Sequence, residues 1–392
     1  MHLDILGLFL MRIHWCGTGR SSGPGLRRLL QDGQPVTVWT EPIDQGQRLV
    51  GDLTADIRPY VLSELDADLA RGDIVVSMLP AHLHADLARH CVGHGAHFLW
   101  PGYITPELSE MDSAARRAGS ALIGEIGLDP GIDHLMAHDL VNAYRTSPSY
   151  RGDNVLSFQS LCGGFPVEPG PFRYKFGWSP LGVLRTLCTP ARYRRDFVDL
   201  MLAHPWDGLH ETLVPFPHPQ TFEAFPNRDS LPYRDHYLFD PAWNVRDFYR
   251  GNLRPLGWGA AWQAVFDQIA DLPKEPAARE KALQDLAQRL GADHPYAKDE
   301  PDRVVLEVSL RAESEGRPVW HQSWLLDAEG DLRGSAMARL VSGPLVLMID
   351  LVQNREMPVG VHPAPHEPRL VKRLLDQIAP LAQTCHRIDH LR

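Results

Sequence analysis

Between residues 12 and 127 one pattern recurs: a helix that stops at a glycine, followed by a short apolar strand. "PGLRRLLQDG" stops at Gly33 before "PVTVWT", "VLSELDADLARG" at Gly72 before "DIVVSMLP", "AHLHADLARHCVGHG" at Gly95 before "AHFLWPGY", and "TPELSEMDSAARRAG" at Gly119 before "ALIGEIG". A glycine just past the last turn takes the left-handed conformation that closes a helix. Strands this continuously apolar are buried on both faces, as in a parallel sheet covered by helices. With "RIHWCG" as the first strand, the β-α-β-α order predicts an α/β fold whose N-terminal part is a Rossmann-type dinucleotide-binding domain.

The texture changes after His134. A helix "DHLMAHDLVNAYR" leads to a strand "NVLSFQSLCGGF", then to a long stretch, up to about residue 257, rich in proline, aromatics and arginine. Few regular periods show there, and the stretch reads as a substrate-binding region more than as core. Helices "AAWQAVFDQIADL" and "EPAAREKALQDLAQRLG" follow, then two alternating strands, "DRVVLEVSLRAE" and "RPVWHQSWLLDAEGD", joined by "SEG". This pair predicts a mixed or antiparallel sheet. "SAMARLVSGPLVLMIDLVQN" and "EPRLVKRLLDQIAPLAQ" read as two closing helices, the second amphipathic. The expected organisation is a Rossmann domain over 11–130, an α+β substrate-binding and dimerisation domain over 131–345, and a helical segment over 346–392 packing back on the first domain.

Residues 1–10, "MHLDILGLFL", are apolar but too short to span a bilayer, and they lack a basic start and a small-residue cleavage site. They read as an upstream start or a small extension, so neither secretion nor a membrane partner is expected. Lysine plus arginine number 39 against 49 acids, a formal charge of −10, with no basic run. Nucleic acid and anionic membranes are therefore excluded as partners. Five cysteines (Cys16, Cys91, Cys162, Cys188, Cys385) form no CxxC pair, which suits a reducing compartment, the cytoplasm by default. The histidines are scattered without an acid-rich setting, so no metal site is expected.

Within "CGTGRSSGPG", Gly17 and Gly19 occupy the first two glycine places of a dinucleotide fingerprint, where a tight turn lets backbone approach a pyrophosphate at a helix N-terminus. The third place falls on Ser22 or Gly23. Glu41, at the end of the second strand, stands where an acid binds a ribose 2′-hydroxyl and favours NAD, while Arg20 in the glycine loop could reach the 2′-phosphate of NADP. The cofactor is thus NAD or NADP. In "GEIGLDPGIDH", Asp129 and Pro130 break a strand, Gly131 supplies conformational freedom and Asp133 can cap the next helix. Ligands in doubly wound folds lie at the carboxyl ends of strands, which makes Asp129 a candidate for holding an amine, with helix capping as the alternative. Cys162 in "LCGGFP" ends another strand. Lys175, Arg228, Arg250 and Arg254 lie among aromatics, and an arginine fork suits either a substrate carboxylate or a structural ion pair.

Taken in order, "VVSMLPAHLH", "WPGYIT", "GEIGLDPGIDHLMA", "LCGGFP", "YKFGWSP", "FPNRDS", "RGNLR" and "SAMARLVSGP" resemble the saccharopine dehydrogenase family, in particular its L-glutamate-forming reductases. The resemblance implies a nicotinamide-dependent oxidoreductase, active as a homodimer, that interconverts a secondary amine with the imine of an amino acid and an aldehyde. Carboxynorspermidine-type and lysine 6-dehydrogenase-type activities are alternatives on the same scaffold, and a non-catalytic dinucleotide-binding protein is an alternative of another class. Carried over by position, Gly17, Gly19, Arg20, Ser21 and Ser22 line the pyrophosphate, and Leu79 and Pro80 lie beside the dinucleotide. Tyr103, Asp129 and Cys162 surround the reacting centre, Arg228 binds a substrate carboxylate, and Lys175 and Arg250 stand within matching motifs. The chain departs from the family in carrying Arg20 and Ser21 where an apolar pair is common, and Glu41 where a basic residue is common.

Overall fold

The structure, a computed structural model, describes residues 11–215 and 219–391. The extension proposed for residues 1–10 lies outside them. Two compact units emerge: the described residues up to Gly131 together with Ala338–Pro365, and Ile132–Met337 together with the described residues from His366 onward.

The first unit starts with strands β1 (Ile13–Cys16), β2 (Val36–Thr40), β3 (Ile57–Pro59), β4 (Ile74–Ser77), β5 (His97–Leu99) and β6 (Ala121–Ile123). Between them run helices α1 (Gly23–Gln31), α2 (Ile43–Val50), α3 (Leu62–Asp68), α4 (His84–His94), α5 (Pro106–Ser109) and α6 (Asp112–Ala118). All the pairings are parallel. Three of the four glycine stops hold: Gly33 follows α1 at φ 74°, and Gly95 and Gly119 end α4 and α6 in the left-handed region, at φ 70° and 78°, whereas α3 ends at Asp68 with an extended Leu69, short of Gly72. The sheet buries Cys16, Trp39, Val75, Phe98 and Leu122 against Leu65, Leu87 and Cys91 of the helices. Sequence reading passed over α2 and β3. The latter has three residues, ends in a proline and is only half buried, so it carries no apolar run.

The second unit is built on α7 (Ile132–Arg145), followed by β7 (Val155–Pro166), α8 (Pro180–Leu187), β8 (Ala191–Arg195), β9 (Val198–Leu202), β10 (His210–Val214) and β11 (Gln220–Pro226). Then come α9 (Tyr233–His236), β12 (Asn244–Pro255), α10 (Trp258–Ala270), α11 (Pro276–Asp293), β13 (Asp302–Ser314) and β14 (Arg317–Glu329). The chain continues as α12 (Ala336–Gln353), β15 (Gly360–His362), α13 (Pro368–Ile378) and β16 (Thr384–Asp389). The sheet runs β10-β11-β12-β7-β13-β14-β16, with β8 and β9 attached through β12. Only β12 and β7 pair in parallel, so the sheet is mixed, as the two alternating strands suggested.

Two expectations need correction. The stretch after residue 166 is not a pocket wall alone: it supplies β8 to β12, and its Tyr174, Phe176, Phe222, Phe225, Tyr249 and Leu253 are core residues. Short, arginine-rich strands such as "ARYRR" hid the period of two there. Nor is 346–392 one helical segment. Its first part, through Pro365, belongs to the first unit, where β15 pairs parallel with β6 to complete the order β15-β6-β5-β4-β1-β2-β3. From His366 it belongs to the second unit, where β16 pairs with β14. A three-residue strand and the polar "TCHRID" give no apolar pattern to read. Helix α12 is apolar and as long as a membrane span, but 83% of it is buried within the protein, as in a core helix.

Candidate active site

In a parallel sheet every strand ends at the same edge, so the residues singled out in the first unit converge there. The glycine loop follows β1, Glu41 follows β2, Leu79 and Pro80 follow β4, Tyr103 follows β5 and Asp129 follows β6.

The loop after β1 fits a dinucleotide. Gly17 has φ 98°, and a Cβ on it would sit 3.0 Å from the Met78 backbone at the end of β4. Glycine is needed there for both reasons. At Gly19 a Cβ would meet nothing within 4 Å, so the space over it is open to a ligand. Ser22 is the N-cap of α1, yet its hydroxyl donates to Gly17 O (2.9 Å) and does not cap the helix. No acid lies in the first turn, which leaves the positive helix end available to a phosphate. The third glycine role, close packing of the helix, falls on neither Ser22 nor Gly23 but on Gly25. A Cβ there would lie 2.5 Å from Ser342 O of α12, and Gly25 N donates to Ser342 Oγ at 2.8 Å. Arg20 and Glu41 are exposed. Leu79 is steadied by His84, whose Nε2–H donates to Leu79 O at 3.0 Å. Burial pushes the His84 imidazole down to about 4, so it stays neutral and keeps donating at ordinary pH.

The turn "GEIGLDPGIDH" closes on itself. Gly127 N donates to Pro130 O (2.9 Å), and Gly131, at φ 146°, packs so tightly that a Cβ would lie 2.2 Å from Gly127 O. The intervening Asp129 is half buried. Glu125 joins this turn to the loop of Tyr103: its backbone N donates to Gly102 O (2.9 Å), and its Oε1 accepts from Ile104 N (3.0 Å). Tyr103 is thus gripped on both sides by one residue that sequence reading passed over. The flanking glycines in "GEIG" were the available signal.

In the second unit, Cys162 on β7 lies opposite Asn252 of β12, and Arg250 lies opposite Ser160. Residues two apart on a strand share a face, so Cys162, Arg250 and Arg254 face the same side. Arg228 stands in the loop after β11, half buried, at φ 54°. Arg250 is not a free fork: it is 1% exposed, and its Nη2 donates to Asp133 Oδ2 at 2.8 Å. Asp133 is no simple cap either, being fully buried in this pair. Lys175 is also engaged, its Nζ 2.6 Å from Glu300 Oε2. Arg254 differs from both. It is buried inside a cage of Tyr174, Phe225 and Trp258, with its Cζ 4.7, 5.2 and 5.4 Å from the ring centroids. Its guanidinium donates to its neighbour's carbonyl, Leu253 O (2.7 Å), and the acid opposite it on β11, Glu223, accepts instead from Gly257 N and Gly259 N (3.1 and 2.7 Å) at the start of α10. Burial lowers its pKa from the ordinary guanidinium value, opposed by nearby Tyr174 and Cys162.

The saccharopine dehydrogenase NADP binding domain matches residues 13–123, and the saccharopine dehydrogenase C-terminal domain matches residues 127–380. The chain belongs to the saccharopine dehydrogenase family. It is 34% identical over 253 residues to saccharopine dehydrogenase [NADP(+), L-glutamate-forming] of Pyricularia oryzae, covering 62% of this chain and 54% of that protein. It is 31% identical over 319 residues to the Saccharomyces cerevisiae enzyme of the same name (76% and 68%), and 32% identical over 279 residues to mouse mitochondrial alpha-aminoadipic semialdehyde synthase (68% and 29%). The match thus spans about half of the first of these relatives and less than a third of the mouse protein. The fold is that of apo saccharopine dehydrogenase (L-Glu forming) from S. cerevisiae, with TM-score 0.79 at 22% identity over 97% of this chain and 99% of that one. Homospermidine synthase from Legionella pneumophila shares it at TM-score 0.66 and 12% identity, over 97% and 92%. The Rossmann-type first unit and the mixed sheet of the second are therefore the family's architecture.

Proposed function

We propose that this chain is a nicotinamide-dinucleotide-dependent oxidoreductase acting on the CH–NH bond of a secondary amine built from an amino acid and an aldehyde, with saccharopine as the substrate to test first. The observation that carries the reading is that the open glycine cradle and the closed Asp129 turn stand at one edge of one parallel sheet. A protein that only sensed the dinucleotide would need the cradle and not the turn.

When bound, the dinucleotide accepts or returns a hydride. In the oxidative direction the carbon beside nitrogen loses hydride, the C–N bond becomes an iminium, water adds to it, and C–N cleavage releases an aldehyde and an amine. Asp129 places a carboxylate where positive charge develops on nitrogen, and Tyr103 offers a hydroxyl from the loop that Glu125 holds. Arg228 takes a substrate carboxylate. Arg254, whose opposite acid Glu223 is engaged by the start of α10, takes a second, and its aromatic cage keeps competing water away. Cys162, on the same face of the sheet as Arg254, is a small lining group.

The choice of dinucleotide turns on Glu41. The matched domain and the fungal saccharopine dehydrogenases are named for NADP, whereas an acid at the end of β2 repels a 2′-phosphate and suits a ribose diol. A homodimer is part of the proposal, supported by exposed Val198 and Met201 on β9 and Leu213 on β10. So is a reducing compartment, supported by five widely spaced cysteines with no CxxC pair. Light scattering on the purified protein tests the dimer. The activity is tested by incubating the protein with saccharopine and either oxidised dinucleotide. Appearance of glutamate with reduced dinucleotide supports the reading, and reduction with lysine or a carboxylated polyamine alone moves the substrate to another branch of the family. No reduction with any of them refutes it.

A further inference from the structure

We infer that the buried pair of Asp133 and Arg250 is a positioning device for Arg228, and so sets how tightly the substrate carboxylate is held. The inference rests on the proposed role of Arg228. Arg250 grips the loop of residues 227–230 by its backbone: Asn227 N donates to Arg250 O at 2.8 Å, and Arg250 N donates to Ser230 Oγ at 3.1 Å. Both anchors are buried, and Arg228 sits between them. From the other side, Arg192 N donates to Arg228 O (2.9 Å) and Ser230 N to Arg192 O (2.7 Å). The loop is thereby clamped between β12 and β8, and it holds Arg228 in the left-handed region at φ 54°. A non-glycine residue there is strained and persists only where its surroundings over-determine it.

The side chain of Arg250 fixes the next segment. Its Cζ lies 4.1 Å over the Tyr233 ring, and its Nη2 reaches Asp133 at the start of α7. Tyr237, also reached through α9, donates its hydroxyl to Asp133 Oδ2 (3.4 Å) and stands 2.9 Å from His134 Nδ1. One residue of β12 therefore ties the loop that carries Arg228, α9 and the first turn of α7 into one block. A contact that stacks on a ring and donates to a carboxylate at once suits the planar guanidinium better than a lysine ammonium.

The test is a double-mutant cycle on steady-state kinetics with saccharopine as the probe. Ser230→Ala removes one anchor with little change in volume, and Asp133→Asn removes the charge partner. Each should raise KM tenfold or more, with kcat changed less than threefold and dinucleotide affinity unaltered. In an Arg228→Ala background, neither should raise KM further. Additive effects on KM would overturn the inference while leaving Arg228 as the carboxylate ligand. An unchanged KM in Arg228→Ala alone would overturn the reading of Arg228 and the inference with it. Should Asp133→Asn fail to fold, Ser230→Ala carries the cycle alone, and a KM within twofold of the parent in that variant refutes the positioning role.

Discussion

Gly17 and Gly131 shape the first unit's loops by having no side chain, whereas Asp133 and Arg250 shape the second unit's by burying a pair of opposite charges. In the first, backbone passes within contact of backbone, and a single Cβ at either glycine would collide at 3.0 or 2.2 Å. Precision there comes from close approach. In the second, the loop of Arg228 is pinned by hydrogen bonds and an ion pair that are strong only because water is excluded. The difference suggests two ways of failing: the first unit should be sensitive to added volume and the second to removed charge.

The largest effect should come from the turn itself. Asp129→Ala should lower turnover by about 10²–10⁴-fold with dinucleotide affinity within twofold of the parent, measured by initial rates and fluorescence titration. Loss of dinucleotide binding as well would make Asp129 a structural residue of the first unit. Next, two glycines, one in the loop after β1 and one in the first turn of α1, should separate packing from recognition. Gly25→Ala, which brings a Cβ to 2.5 Å from Ser342 O, should cost about 1–3 kcal/mol of stability by overpacking. Gly19→Ala should leave the melting temperature unchanged and weaken dinucleotide binding about tenfold. Equal melting temperatures for the two variants would remove the distinction.

A third test addresses buried charge in the second unit. Glu307 on β13 is held by Gln159, with Gln159 Nε2 3.2 Å from its Oε2, and burial pushes its carboxyl up to about 7. A raised folded-state pKa contributes stability that is complete below the ordinary value of about 4.5 and is lost as pH rises through about 7. Glu307→Gln should therefore match or trail the parent at pH 4.5 and exceed it by about 1–3 kcal/mol at pH 8. Parallel denaturation curves at both pH values would show that the carboxyl titrates normally. The smallest effect belongs to the rim of the first unit. Glu41→Ser should improve NADPH binding relative to NADH a few-fold by removing an exposed negative charge, and an unchanged ratio would exclude Glu41 from the ribose site.

How far the sequence discloses this site follows from the same contrast. Gly17, Gly19 and Asp129 were legible because short-range geometry imposes them: a turn after a strand needs glycine, and a strand end carries the ligand. The partner of Arg250 was not, because Asp133 lies 117 residues away and an arginine among aromatics reads alike whether it faces a substrate or an ion pair. Arg254 shared that ambiguity, and what separates the two is that the acid opposite it, Glu223, is engaged by the backbone N–H groups of Gly257 and Gly259. Lys175 was obscured by Glu300, 125 residues distant. Glu125 was hidden for another reason: its work is done by one backbone N–H and one carboxylate oxygen on a neighbouring loop, which no spacing rule records. In the fold, strands of three residues such as β3 and β15 left no periodicity to detect, while the glycine-stopped helices announced the sheet they flank.

The most direct measurement is a titration of the purified protein with NADPH and with NADH, followed at saturating dinucleotide by initial rates with saccharopine. Binding of at least one dinucleotide, with saccharopine-dependent reduction of its oxidised form, is the expected result. Binding of neither, in a protein that is folded by circular dichroism, would contradict the assignment of the glycine loop as a cofactor cradle and the oxidoreductase reading built on it.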